Sequence, residues 1–339
     1  SGFPMDRIYF HGNNKSPEEL ELAFRLGVGA IVIDNAMECG KILALAARRK
    51  QTMAVFLRIN PGVEAHTHHY IVTAHPDSKF GINGEQREDI LALVRAIREN
   101  GHVKFLGLHA HIGSQIFEEA PYRAEIGKLA ELAEFLEKEG FPVEAFNLGG
   151  GFAAYYTSED APLSIEQACK TILAACREEK SRKRLCLKKV LIEPGRSIVA
   201  EAGCTLYRVG FRKQTDCKSY VFVDGGMADN IRPALYDAKY RCCLANRMDE
   251  PSAGSFTVAG KCCESGDILI EDAALPEPRT GDLLAVFTTG AYGYSMASNY
   301  NRLGRPPVVF AKDGRARLVL RRETYEDMGK LETDQEIYI

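Results

Sequence analysis

Three short runs carry residue types suited to chemistry on a small anionic molecule: His109-Ala110-His111-Ile112-Gly113-Ser114-Gln115, Gly149-Gly150-Gly151 and Glu193-Pro194-Gly195-Arg196. A glycine triplet leaving an apolar run lets the backbone turn sharply and brings N–H groups up to an anion with no Cβ in the way. Read alone, it makes a plain turn as readily as a phosphate cradle. Glu193 sits at a strand end, where a buried carboxylate needs a compensating charge. A pyridinium nitrogen would supply one and would itself be kept protonated, which makes the ring an electron sink for a carbanion; a structural pair with Arg196 is the alternative. His111 offers an imidazole to stack on a flat ring and Ser114 a hydroxyl for a phosphate, with a satisfied core histidine as the other reading.

Metal chemistry has weaker support. The ten cysteines include the vicinal pairs Cys242-Cys243 and Cys262-Cys263 but no C-x-x-C and no histidine at zinc-ligand spacing. His66-Thr67-His68-His69, with His75 beyond, lacks carboxylate or cysteine partners at helical spacing and reads as a polar loop. No metal is expected.

The elements that must position these groups follow a βα rhythm to about residue 200. Strands are expected over Arg7 to His11, Ala30 to Asp34, Ala54 to Asn60, Phe105 to Ile112, Ala145 to Leu148 and Val190 to Glu193, apolar on both faces as buried parallel strands are. Ser16-Pro17-Glu18-Glu19 spells a capping box with proline at the first helical position, and Gly27, Gly101 and Gly140 end helices. Between 122 and 138, Ile126, Leu129, Leu132, Ala133 and Leu136 form one helical stripe. Beyond about residue 203 the pattern changes to short alternating strands, among them Ser219 to Val223, Ser255 to Val258, Asp267 to Ile270 and Leu283 to Thr288. The expected organisation is a (β/α) barrel domain over 1–202 followed by a mostly antiparallel β-barrel or sandwich domain over 203–339. Six βα units do not close a TIM-type barrel; eight do. Phosphate cradles in such barrels are frequently built after strands seven and eight, and here the glycine triplet and the Glu-Pro-Gly-Arg run follow the fifth and sixth visible strands. Two missing leading strands would bring the counts into line.

With 339 residues, a formal net charge of −3, no Trp and no block of like charge, nothing favours nucleic acid or an acidic membrane as partner. No run has the length of a membrane span, and the N-terminal residues do not form a signal peptide. A cytoplasmic location, reduced thiols and a small-molecule partner are the expectation.

In this order, the three runs resemble the fold-type III pyridoxal-phosphate decarboxylases. Further runs narrow the resemblance to the diaminopimelate decarboxylases: Arg58-Ile59-Asn60-Pro61-Gly62-Val63, Asp77-Ser78-Lys79-Phe80-Gly81, the stretch from Asp224-Gly225-Gly226-Met227 to Arg232-Pro233-Ala234-Leu235-Tyr236, Cys263-Glu264-Ser265-Gly266-Asp267, and Gly290-Ala291-Tyr292-Gly293-Tyr294-Ser295-Met296. The resemblance implies decarboxylation of meso-2,6-diaminopimelate to L-lysine with pyridoxal 5'-phosphate. It implies that His111, Ser114, Gly149, Gly150, Gly151, Glu193, Pro194, Gly195, Arg196 and Tyr292 hold the cofactor. Arg196, Arg232, Tyr236, Glu264 and Tyr292 hold the substrate, the arginines gripping its distal carboxylate and Glu264 its distal ammonium. Cys263 returns a proton to the carbanion, with His111 as the other catalytic group. It further implies a homodimer, the Cys-Glu segment reaching into the partner's site.

One family feature is not found. The cofactor-bearing lysine belongs to a Tyr-x-x-Lys-Ala-Asn-like run on the first barrel strand, and nothing like it occurs here. Lys15 precedes a helix, Lys79 belongs to a loop motif and Lys261 sits at a domain edge. The expectation is therefore an N-terminally truncated chain that by itself lacks covalent cofactor attachment. The missing initiator Met agrees, although processing would also remove it. The alternatives are a related decarboxylase acting on ornithine, lysine, arginine or carboxynorspermidine, and a non-catalytic relative that binds the cofactor or a partner.

Overall fold

The computed structural model describes residues 2–63 and 78–335. The His66-Thr67-His68-His69 run, His75 and Asp77 lie outside the described residues. One compact unit takes in the chain up to Ala153 together with Ala161–Gly195; a second takes in Ala154–Asp160 and the chain from Arg196 onward.

In the first unit strands and helices alternate: β1 (Tyr9–Phe10), α1 (Pro17–Leu26), β2 (Ala30–Ile33), α2 (Ala36–Arg49), β3 (Met53–Asn60), β4 (Ile82–Asn83), α3 (Arg87–Asn100), β5 (Val103–His109), α4 (Ala120–Lys138), β6 (Ala145–Asn147), α5 (Ile165–Lys183) and β7 (Lys189–Leu191). Strands β1, β2, β3, β5, β6 and β7 lie side by side in that order, all parallel, and β4 pairs with β3. The capping box forms: Ser16 Oγ accepts from the Glu19 N–H, and the Ser16 N–H donates to the Glu19 carboxylate. Gly27 closes α1 in the left-handed conformation.

Period-two alternation splits the sheet residues between two cores. Ile31, Ile33, Val55 and Leu57 pack with the helical Leu20, Phe24, Ile42 and Val94, while Ala30, Val32, Phe56 and Ala145 cluster on the other face. The sheet is curled. In a flat sheet five strand spacings of about 4.8 Å would part β1 from β7 by about 24 Å, yet His11, just after β1, lies 2.8 Å from Glu193, just after β7. The architecture is a TIM-type half-barrel followed by a mostly antiparallel β domain.

The second unit contains α6 (Arg196–Val199), β8 (Cys204–Gln214), β9 (Ser219–Val223), α7 (Arg232–Tyr236), β10 (Cys242–Leu244), β11 (Gly254–Ala259), β12 (Ile268–Leu275), β13 (Leu283–Phe287), β14 (Val308–Lys312), β15 (Arg315–Leu320) and α8 (Tyr325–Gly329). Its main sheet runs β10-β13-β8-β9-β11-β12, antiparallel except where β9 meets β11. The end strands β10 and β12 touch, so the sheet nearly closes on a core of Tyr207, Val209, Val221, Val258, Leu269, Leu284 and Val286.

One strand was not foreseen and two strand expectations need correction. The longest strand of this unit, β8, gave no sequence signal, because its outward positions hold Arg208, Arg212 and Lys213 and only Tyr207 and Val209 are buried. The strand placed at Asp267 to Ile270 starts one residue later and runs on to Leu275. Strand β5 ends at His109, so His111 lies on the loop beyond it; there Gly113, with φ +144°, has left the strand path.

Candidate active site

Around the ends of β5, β6 and β7 the first unit builds a polar cradle. Asn147, the last residue of β6, ties it together: its Nδ2 donates to Glu193 Oε1 at 2.8 Å and its Oδ1 accepts from the Gly149 N–H at 3.1 Å. The Glu193 N–H donates to the Gly149 carbonyl at 2.6 Å, laying Glu193-Pro194-Gly195 beside the glycine run. The backbones approach too closely for side chains. A Cβ on Gly149 would stand 2.7 Å from the Ala110 carbonyl oxygen, one on Gly150 2.5 Å from that of Glu193, and one on Gly151 2.6 Å from that of Gly113; Gly149 and Gly151 also have φ of +61° and +94°. The Gly150 N–H donates to His111 Nδ1 at 3.2 Å, which puts the proton of a neutral His111 on Nε2. Gly149 and Gly150 are thus engaged inside the cradle, while the N–H groups of Gly151 and Gly195 meet no acceptor among the described residues.

Electrostatics single out Glu193. His11 Nε2 lies 2.8 Å from its Oε1 and His109 Nε2 3.7 Å from its Oε2. Both imidazole nitrogens are shielded from solvent, and neither makes a hydrogen bond of good geometry among the described residues. Burial opposes charge on Glu193, but the adjacent imidazoles of His109 and His11 prevail and hold its carboxyl far below the usual carboxylate range. Burial pushes His109 and His111 down to about 4, His111 further under the nearby Arg58. At neutral pH the cradle therefore holds an ionised Glu193 carboxylate, with the His109 and His111 imidazoles neutral. The ligand atoms of His11, His109 and Glu193 lie within 4.8 Å of one another, a spacing open to a cation as well.

A pH dependence follows. Unfolded histidine titrates near 6.5, so between about 6.5 and 4 the unfolded chain binds protons that folded His109 and His111 refuse. Stability must fall as pH falls through that window, by up to about 3 kcal/mol for each histidine at its lower end. Thermal unfolding of the cofactor-free protein should show a Tm several degrees lower at pH 5.5 than at pH 7.5; an equal Tm would refute the assignment.

The second unit gathers arginines and tyrosines. Arg196, at the start of α6, donates from Nη1 to Tyr156 Oη at 2.6 Å, and Arg232, at the start of α7, donates from Nε to Tyr240 Oη at 2.9 Å. Both arginines are buried, 6% exposed. They share the Tyr292 ring, at 4.7 Å and 5.5 Å from its centroid, and Tyr236 lies 5.6 Å from Arg232. Tyr292 itself has φ of +56°, a rare conformation for an aromatic residue, of the kind that clusters at functional sites. Among the described residues no carboxylate pairs with Arg232, whose guanidinium faces the rings of Tyr156, Tyr236 and Tyr292.

Cys263 and Glu264 stand on an exposed loop between β11 and β12. Its anchor is buried Asp267, whose carboxylate accepts from the N–H groups of Met227 at 2.6 Å and Cys262 at 2.8 Å. The Cys263 N–H donates to Asn301 Oδ1 at 2.6 Å, and Tyr300 Oη donates to Glu264 Oε2 at 2.8 Å. Among the described residues these bonds run to Tyr300 and Asn301 and not to the arginine cluster.

Of the three lysines weighed from sequence, Lys15 is buried with all its donors used, on the Gly12 and Val32 carbonyls at 2.7 Å each and on Glu38 at 2.8 Å. Lys79 lies over the Phe80 ring, and Lys261 borders a cavity of about 380 Å³ with Asp224, Asp229 and Arg322. Sequence reasoning missed His11, His109, Asn147, Arg58, Tyr156 and Tyr240 as site groups. The one available signal was polarity in apolar strands, as with Asn147 after Ala145-Phe146.

The family described as pyridoxal-dependent decarboxylase, pyridoxal binding domain, matches residues 1–200. The diaminopimelate decarboxylase of Bacillus subtilis (strain 168) is 49% identical over 334 residues, covering 98% of this chain and 76% of that protein. Two solved structures are similar. Diaminopimelate decarboxylase from M. jannaschii in complex with L-lysine has a TM-score of 0.89 at 33% identity, over 97% of this chain and 75% of that one. The Helicobacter pylori enzyme complexed with L-lysine has 0.88 at 33%, over 97% and 79%.

Proposed function

This chain belongs to the pyridoxal-dependent decarboxylase family, within the diaminopimelate decarboxylases, and from that premise we propose how its residues divide the work. The reaction is decarboxylation of meso-2,6-diaminopimelate to L-lysine and carbon dioxide, with pyridoxal 5'-phosphate as cofactor. Bound pyridoxal phosphate supplies the electron sink that takes up the charge left at the substrate α-carbon.

The cradle suits that group. Glu193 would hold the ring nitrogen, because it is the carboxylate of the cradle and stays ionised beside His11 and His109. The free N–H groups of Gly151 and Gly195, with Ser114 Oγ and Tyr292 Oη, would hold the phosphate, and neutral His111 would lie against the ring face. Arg232, with Arg196, would grip the distal carboxylate in the forked geometry that guanidinium favours. Glu264 would hold the distal ammonium. Cys263 Sγ would deliver the proton to the α-carbon.

The observation that carries the substrate reading is the buried Arg232 guanidinium with no described carboxylate beside it, next to Arg196 over one shared tyrosine. A substrate without a distal carboxylate leaves that charge uncompensated. The finer proposals are a homodimer whose Cys263 and Glu264 serve the partner's site, in keeping with their exposure and separate bonding, and a cytoplasmic location. No described helix is long and apolar enough to cross a membrane.

The test is carbon dioxide release by the complete gene product with meso-diaminopimelate, ornithine, lysine and arginine. Only meso-diaminopimelate should be turned over well, and Glu264→Ala should raise its KM about ten- to hundredfold, the loss expected of a charge-assisted contact. Better turnover of ornithine or arginine would overturn the substrate assignment.

A further inference from the structure

Resting on the reading of Glu264 as the distal-ammonium residue, we propose that the turn Tyr300–Asn301 is the specificity device of this site: Tyr300 aims the Glu264 carboxylate while Asn301 holds the Cys263 backbone. Neighbouring residues of one turn thus position both groups of the Cys-Glu pair, one for binding and one for proton delivery.

The geometry is specific to that task. Tyr300 Oη occupies Glu264 Oε2 at 2.8 Å, leaving Oε1 for a second donor. Asn301 Oδ1 receives the Cys263 N–H at 2.6 Å from a backbone with φ +53° and ψ +26°, and Arg302 follows with φ +59°. Two successive residues in the left-handed region are costly without glycine, and such strain persists only where surrounding contacts impose it. Those contacts are present. Asn299 Nδ2 donates to the Leu303 carbonyl at 3.0 Å and to Glu323 Oε2 at 2.5 Å, and the Ser298 N–H donates to the Ala228 carbonyl at 2.9 Å. The loop on the other side is fixed by Asp267. Cys263, Glu264, Tyr300 and Asn301 are all exposed, and an exposed tyrosine–carboxylate bond contributes little to folding. The strained turn is thus kept for what it points. The bond to Glu264 also raises the Tyr300 phenol above its ordinary pKa, so it remains a donor.

Tyr300 is a positioning residue, and its test must separate aiming from general damage. The complete gene product is assayed with meso-diaminopimelate and with 2-aminopimelate, which keeps the distal carboxylate but has no distal ammonium. Tyr300→Phe should raise KM for meso-diaminopimelate about five- to tenfold, the loss of one charge-assisted hydrogen bond, with kcat within twofold and KM for 2-aminopimelate unchanged. Asn301→Ala should show the opposite split, lowering kcat and sparing both KM values. Equal KM changes for the two substrates, or none, with Tyr300→Phe would overturn the proposal even if Asn301→Ala fails to fold. Glu264→Ala is the control: if it discriminates between the substrates and Tyr300→Phe does not, the positioning role alone falls; if neither discriminates, the assignment of Glu264 falls with it.

Discussion

Glu193→Gln is expected to lower kcat by about 10²- to 10³-fold, the scale seen when one electrostatic partner of a developing charge is removed, while leaving the fold intact. The amide has the shape of the carboxylate, so Asn147 Nδ2 still finds an oxygen to donate to at the position now 2.8 Å away. What disappears is the charge. In the native cradle Glu193, beside His109 and His11, stays ionised against its burial, while His109 and His111, pushed down to about 4, remain neutral. No other described side chain of that group is an anion, so a ring nitrogen there loses the partner that keeps it protonated. Two measurements check this: kcat for meso-diaminopimelate, and the absorbance of bound cofactor titrated with pH. The variant should bind cofactor with a shifted spectrum, and a variant within threefold of the native kcat would refute the role. Because Glu193 stays charged far below neutrality, the native kcat profile should show no titration of this group between pH 5 and 9.

Cys263→Ala is expected to lower kcat by about 10²- to 10⁴-fold, the range of a positioned proton donor, with KM within about threefold. The KM should hold because Glu264 keeps its own tether to Tyr300 and the loop keeps Asp267. Cys263→Ser should recover little, since a hydroxyl gives up its proton far less readily than a thiol near neutrality. The same variant tests the shared site. Cys263→Ala and Glu193→Gln polypeptides are each nearly inactive alone, but mixed subunits would place one intact Cys263 beside one intact Glu193 in a hybrid dimer. Recovered activity on mixing supports sharing; its absence would remove it.

The parallel strands were legible because burial on both faces leaves an apolar run that periodicity detects, as in Ala30–Ile33, where all four residues are buried. Strand β8 was not, because its outward face is charged and only Tyr207 and Val209 point into the core. The same distinction runs through the site. Gly149, Gly150, Gly151 and Glu193 announce themselves, since few residue types tolerate such close backbone approach or such a buried charge. His11 and Tyr300 do not. A histidine after a two-residue strand and a tyrosine in a polar turn look ordinary until the fold sets them beside Glu193 and Glu264.

The amino-acid sequence by itself determined the alternation of elements, the helix caps, the glycine turns and the inventory of groups available for chemistry, because these depend on neighbours within a few residues. Only the tertiary structure decided which groups meet. Curling of the sheet brings the ends of its first and last strands together, so His11 reaches Glu193 across 182 positions. Packing of the turn at Asn299 brings Tyr300 and Asn301 to Glu264 and Cys263. Protonation was decided there too, since desolvation and the nearest charges, absent from any local pattern, leave Glu193 ionised and His109 and His111 neutral.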